Sequence, residues 1–118
     1  WEEYGHRKDL RRLFERGGVV DADYDAVRFA VTRHSRGPDP PRTEPHWRLL
    51  SLLKDADELD RVRIGDLEPA YLRNPEARSM VEFAYRLYGQ TADRFPAGPA
   101  YFGRLWPAAL EIEAAMGA

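Results

Sequence analysis

The stretch LLKDADELDR, residues 52–61, places carboxylates on a helix that must also bury leucines. At 100° per residue, the apolar side chains of residues 46–63 form one stripe, which consists of Leu49, Leu52, Leu53, Ala56 and Leu59. Asp60 falls inside this stripe and Asp57 lies on its edge. A buried carboxylate costs several kcal/mol unless it is hydrogen-bonded, ion-paired or bound to a metal. The pattern therefore predicts a helical domain with two inward acids that must be neutralised.

Two explanations for these acids are open at this point. In the structural one, Arg61 or Arg63, or the N-terminus of another helix, neutralises the carboxylates. In the functional one, the acids serve a site. The remaining charged residues of the stretch are expected to point away from the apolar stripe; they are Lys54, Asp55 and Glu58.

Length and composition exclude several classes of protein. The 118 residues fit a single domain, 1–118, with a net charge of −2 and no cysteine, which rules out disulfides, zinc–thiolate sites and thiol nucleophiles. No long apolar run or secretory leader is present, so we expect a soluble cytoplasmic protein without membrane partners. The arginines are scattered among acids, which disfavours nucleic-acid binding. Abundant Arg, Ala, Gly and Pro suggest a GC-rich, bacterial-like genome.

Only helical periodicity is evident, and it predicts an all-α bundle. A first helix should end at Gly17-Gly18, and a second should be capped by Asp21 or Asp23. A proline-rich loop, residues 35–45, precedes the acidic helix. A break or kink is expected at Pro107. The expected helices cover about residues 2–16, 21–34, 46–63, 74–88 and 100–116.

A histidine accompanies the acids. His34 shares an inward helical face with Val27, Ala30 and Val31, and one loop connects its helix to the acidic helix. Helices joined in this way commonly pack antiparallel, which would bring His34 towards Asp57. Imidazole nitrogen and carboxylate oxygen without thiolate suit a divalent Mn, Fe, Mg, Ni, Co or Zn ion.

The combination of VTRHS at residues 31–35 with LKDADELD at residues 53–60 resembles the HD superfamily of metal-dependent phosphohydrolases. The resemblance implies an all-α, HD-like bundle in which Asp57 is the last metal ligand. It also implies that His34, and less closely His6, are additional histidine ligands. Asp60 would orient a ligand or pair with an arginine. Lys54 and Arg61 are candidate phosphate contacts, with solvated surface charge as the alternative.

The His-Asp doublet of that superfamily is missing, because the three histidines precede Arg7, Ser35 and Trp47. The doublet belongs before residue 6, so we expect a bundle incomplete at its N-terminus, as in the C-terminal part of a longer protein. A degenerate relative is the alternative. In either case this chain alone should be nearly inactive.

The resemblance therefore implies a piece of a phosphohydrolase that acts on a nucleotide or phosphoester through a metal-activated water. Its partner would be a small phosphorylated substrate. The alternative is a non-catalytic helical module for ligand binding or protein interaction. An incomplete bundle exposes apolar surface and favours a homo-oligomer. His46, at the start of the acidic helix, is expected to cap or pack.

Overall fold

A computed structural model describes residues 8–35, 37–92 and 98–117, and in these ranges the chain is all-α, with no strand. Short 3-10 turns cover Arg61–Ile64 and Pro69–Tyr71. None of the helices in these ranges is both long and apolar enough to cross a bilayer. The α-helices are α1 (Lys8–Arg16), α2 (Asp21–Arg33), α3 (Trp47–Asp60), α4 (Pro75–Ser79), α5 (Val81–Thr91) and α6 (Pro99–Ala115).

The chain forms two compact units, Trp1–Ala56 and Asp57–Ala118. Helix α3 begins in the first unit and ends in the second, so the acidic stretch crosses the boundary between them. The sequence predicts a single domain from the length of the chain, and this stays a prediction.

In the first unit, α1 ends where the glycines predict. Gly18 has a φ of +75°, and the Val19 N–H donates to the Phe14 carbonyl over 3.0 Å. Helix α2 starts after Val20 without a side-chain cap, so the predicted aspartate cap is wrong. The aspartates instead occupy the first turn, where they face the positive end of the helix dipole.

Helix α3 buries a different face from the one that its leucines predict. Leu50 is completely buried, whereas Leu49 and Leu52 are 37% and 43% exposed. The buried polar residues of this helix are Ser51, Lys54 and Asp55. At 100° per residue, the buried face is thus rotated by nearly half a turn from the predicted stripe. This rotation changes the surroundings of every charged residue in the helix.

In the second unit, the predicted helix over residues 74–88 is divided at Met80, which caps both α4 and α5. Helix α6 packs on α5 and runs through Pro107 as one element, so the break allowed for at this proline is not found. The core consists mostly of small and aliphatic side chains: Val62, Leu72, Ala77, Ala84, Ala108 and Ile112. Bulky residues of α5 and α6 therefore lie largely outside it.

Candidate functional site

The carboxylates of the acidic stretch have different surroundings. Asp55 is 2% exposed and engaged in an interaction, whereas Asp57 and Asp60 are both exposed. The prediction that Asp57 and Asp60 face the interior is therefore wrong. The cause is the rotation of α3, since the face that carries Leu50 and Lys54 is the buried one. Asp55, which was expected to point away, lies on that face.

Asp60 is held by an arginine, as the structural explanation predicts, but at the surface. The Arg63 guanidinium donates from Nε to Oδ1 over 2.7 Å and from Nη2 to Oδ2. This paired hydrogen bond lowers the pKa of the Asp60 carboxyl, against a smaller opposing effect of burial. The neutralising partner of Asp60 is thus three residues away on the same segment.

Arg61 and Glu58 close the turn that follows α3. The Arg61 guanidinium is paired with Asp66 and lies 3.9 Å from the Glu58 carboxylate. Glu58 also accepts a hydrogen bond from the Glu68 N–H over 2.9 Å. The predicted phosphate contact at Arg61 therefore involves a guanidinium that two carboxylates already engage.

Asp57 differs from its neighbours. Among the residues that the structure describes, it has no hydrogen-bond or ion-pair partner. The pKa of Arg61 is raised mainly by its hydrogen bond to Asp66, and that of Arg63 mainly by its hydrogen bond to Asp60. The charge of Asp57 is the smallest contribution to each, and neither guanidinium bonds to it directly. Asp57 is consequently the carboxylate of the stretch that is available to a ligand.

His34 follows α2, and its backbone N–H donates to the Ala30 carbonyl. Its ring Nδ1 lies 2.7 Å from the carbonyl oxygen of Val31. A carbonyl can only accept, so Nδ1 carries the proton and the lone pair of a neutral ring is on Nε2. Metal-binding histidines commonly donate their other ring N–H to a carbonyl in this way, which orients the ring.

The predicted metal ligands are distributed over the chain. His34 belongs to the first unit and Asp57 to the second, while His6 lies outside the described residues. Within the described ranges, no three His, Asp or Glu side chains form a group that could hold an ion. The donor chemistry of His34 and Asp57, one imidazole nitrogen and one carboxylate oxygen, fits a divalent cation.

Lys54 is the residue whose surroundings the sequence prediction missed most clearly. Its side chain is 7% exposed, and Nζ donates to Asp39 Oδ1 over 2.6 Å. The alternative of a solvated surface charge is therefore wrong for Lys54. The composition contained one indication that Lys54 is unusual. Lys8 is the only other lysine, and the chain otherwise uses arginine as its cationic residue. The ion pair of Lys54 with Asp39 therefore connects the proline-rich loop to α3.

His46 packs, as one of its two predicted roles requires. The imidazole is half-buried, and its ring centroid lies 5.6 Å from that of Phe29 on α2. This contact joins the start of α3 to α2 within the first unit. No ligand role is needed to account for His46.

The second unit has an apolar groove that the sequence analysis does not identify. It has a volume of about 620 Å³ and lies along α5 and α6. Phe102 and Trp106 line it while remaining 71% and 68% exposed. The aromatic spacing on α6 was a signal for this groove, but aromatic residues at helical spacing are more often core.

No family model, curated protein or solved structure matches this chain. The resemblance to the HD superfamily therefore rests on the residues around His34 and Asp57. The structure adds the local environment of each of these residues.

Proposed function

We propose that this chain is part of a metal-dependent phosphohydrolase of the HD type. In this proposal Asp57 supplies a carboxylate ligand and His34 an imidazole ligand to a divalent metal. The observation that carries the proposal is the availability of Asp57. In a stretch rich in ion pairs, it is the acid without a direct partner among the described residues.

The local chemistry of His34 supports the same role. Its Nδ1–H bond to Val31 fixes the ring tautomer, so that a metal would be bound through Nε2. Asp60, by contrast, gives both carboxylate oxygens to Arg63. Its role in the proposal is to hold Arg63 in place, and it is not a ligand.

The chemistry of the site follows from these ligands. When bound, a divalent metal would lower the pKa of a coordinated water, which is the chemistry that hydrolysis of a phosphoester at neutral pH needs. Asp57 and His34 are the residues that would hold the cation, and the cation itself would supply the positive charge that attracts an anionic substrate. Two ligands bind a divalent ion weakly, so turnover of a phosphoester by this 118-residue chain should be close to background.

The test is metal binding by the folded chain, with Mn²⁺ as the probe. Loss of the free Mn²⁺ signal in electron paramagnetic resonance measures binding. Thermal melts measure how much bound Mn²⁺ stabilises the folded chain. At a Mn²⁺ concentration equal to Kd, the Tm should rise by about 2 °C. Asp57→Asn should abolish both effects, and His34→Ala should weaken them.

Asp60→Asn is the matched control, because it makes the same chemical change three residues away on the same segment. It should retain Mn²⁺ binding. Equal loss in both variants would mean that the acidic surface attracts the cation without a site, which contradicts the proposal. Absence of any Mn²⁺ effect, with tight binding of a protein partner, would favour the non-catalytic interaction module.

A further inference from the structure

The apolar groove of the second unit is built from two helical stripes. Helix α6 contributes side chains at every third or fourth residue from Phe102 to Met116, over about 21 Å. Met80, Phe83 and Leu87 supply the opposite wall. Single exposed apolar residues are ordinary, but a continuous stripe with exposed aromatic rings is typical of an interaction surface.

Five of the seven α6 positions that line the groove are symmetric about Ala109. Lining residues occur four positions to either side, at Leu105 and Glu113, and seven positions to either side, at Phe102 and Met116. Alanine, the smallest side chain of the stripe, occupies the centre. Two such helices can cross antiparallel at Ala109, with Leu105 facing Glu113 of the partner and Phe102 facing Met116. Trp106 and Leu110 have no lining counterpart, because Ile112 and Ala108 are buried in the protomer. Small residues at a crossing allow two helix axes to approach closely.

We propose that the groove is covered by a second copy of this chain, in a twofold dimer whose α6 helices cross antiparallel at Ala109. Phe102 of one protomer then lies near Met116 of its partner. The α5–α6 pairs of the two protomers together form a four-helix arrangement. The surface is self-complementary, as a twofold interface requires. This dimer is independent of the proposed metal site, because its residues lie on α5 and α6 or cap these two helices.

The exposed area is close to what such a dimer needs. With side chains of their usual size, Phe102 and Trp106 expose roughly 300 Å² per protomer. Met80 and Leu110 are 43% and 47% exposed and raise the total for two copies to about 900 Å². A specific interface buries about 1,000 Å² or more, and flanking polar surface adds to this total. We therefore expect a dimer with Kd of about micromolar order.

Glu113 is the one ionisable side chain that lines the described groove, and it is exposed. In the antiparallel arrangement it lies towards the end of the contact, near Leu105 of the partner. An acid at the rim of an interface remains hydrated and adds little to the affinity. The energetic centre of the dimer is consequently Trp106 and its surroundings, about 4.5 Å along the helix from the crossing.

Sedimentation velocity of the full chain over a range of concentrations tests the proposal. The chain should sediment as a dimer at high micromolar concentration. Trp106→Ala, which removes an exposed side chain and should leave the protomer folded, should raise the dimer Kd by at least ~10-fold. A monomer at every concentration, or a dimer that Trp106→Ala leaves unchanged, would overturn the proposal.

A charge-swap pair tests the symmetry axis. Ala109→Glu should give a monomer, because the twofold axis places the glutamate of one protomer against the same glutamate of its partner, and the two charges repel. Ala109→Lys should give a monomer for the same reason. An equimolar mixture of the two variants should dimerise again. The same two substitutions at Ala114, which is exposed and does not line the groove, should leave the wild-type dimer intact. Failure of the mixture to reassociate while both variants retain helical circular dichroism would rule out the crossing at Ala109.

Discussion

Helices α3 and α6 depart from simple amphipathic patterning in opposite ways. Helix α3 buries Lys54 and Asp55 and leaves two of its leucines partly exposed, whereas α6 leaves Phe102 and Trp106 exposed. The buried charges of α3 have partners within the chain, as the pair of Lys54 with Asp39 shows. The aromatic rings of α6 are left uncovered by the described chain. A buried charge can thus be compensated within the fold, while exposed aromatic residues point to a partner.

The largest expected effect tests the rotation of α3. Leu50→Ala should lower the free energy of unfolding by about 3 to 4 kcal/mol, because it empties a fully buried position. The matched control is Leu49→Ala, one residue away and 37% exposed, which should cost less than about 1 kcal/mol. Urea denaturation of the two variants measures the difference. A larger loss for Leu49→Ala than for Leu50→Ala would mean that α3 buries the stripe predicted from its leucines, and equal losses would contradict the burial of the Leu50 face alone.

The next effect tests whether the buried charge of α3 is compensated. Lys54→Ala should cost about 2 to 3 kcal/mol, since it removes a buried side chain and leaves Asp39 without its cation. Lys54→Met, which retains most of the buried volume, should cost only about 1 kcal/mol, because Asp39 is partly exposed and can be hydrated. The same denaturation measurement applies. A larger loss for Met than for Ala would contradict packing as the main contribution of Lys54.

The sequence predicts the all-α class and several ends of helices, because these depend on local chemistry. Gly18 and Gly65 both adopt positive φ where a helical segment closes. The buried face of α3 could not be predicted in this way. Its leucines define one stripe, but the fold buries the side of Leu50 and Lys54, where a partner for the charge comes from Asp39, fifteen residues away. Such a pairing depends on tertiary structure, which helical periodicity does not contain.

The candidate site was also predictable from the sequence only in part. The sequence identifies Asp57 and His34 by residue type and spacing, and the prediction that they are metal ligands stays a prediction. The sequence does not indicate which acid of the stretch lacks a partner, because Arg61 and Arg63 each have several carboxylates nearby in the sequence. The structure assigns Arg63 to Asp60 and Arg61 to Asp66, which distinguishes Asp57 from its neighbours.

A smaller effect concerns α6. If its aromatic stripe is covered by a second copy, the Tm should increase with protein concentration, by about 2 to 4 °C for each tenfold step. Trp106→Ala should remove this dependence and leave the Tm at the lowest concentration nearly unchanged, since the side chain is 68% exposed in the protomer. Differential scanning calorimetry at several concentrations measures both. A fall in Tm at every concentration would indicate that Trp106 stabilises the protomer.

The smallest expected effect concerns the exposed end of α3. Asp60→Ala should cost at most about 0.5 kcal/mol at pH 7, because the pair with Arg63 lies at the surface, with the Asp60 side chain 54% exposed. The hydrogen bond from Arg63 lowers the pKa of the folded Asp60 carboxyl below its usual value of 3.8, so the pair stabilises the fold above that pH. As the pH falls through the folded pKa, the carboxylate is protonated and this contribution is lost. The difference between wild type and Asp60→Ala in urea denaturation should therefore be constant from pH 7 to about pH 5 and vanish in stronger acid. A loss of several kcal/mol at neutral pH would show instead that Asp60 is buried, as its position among the leucines predicts.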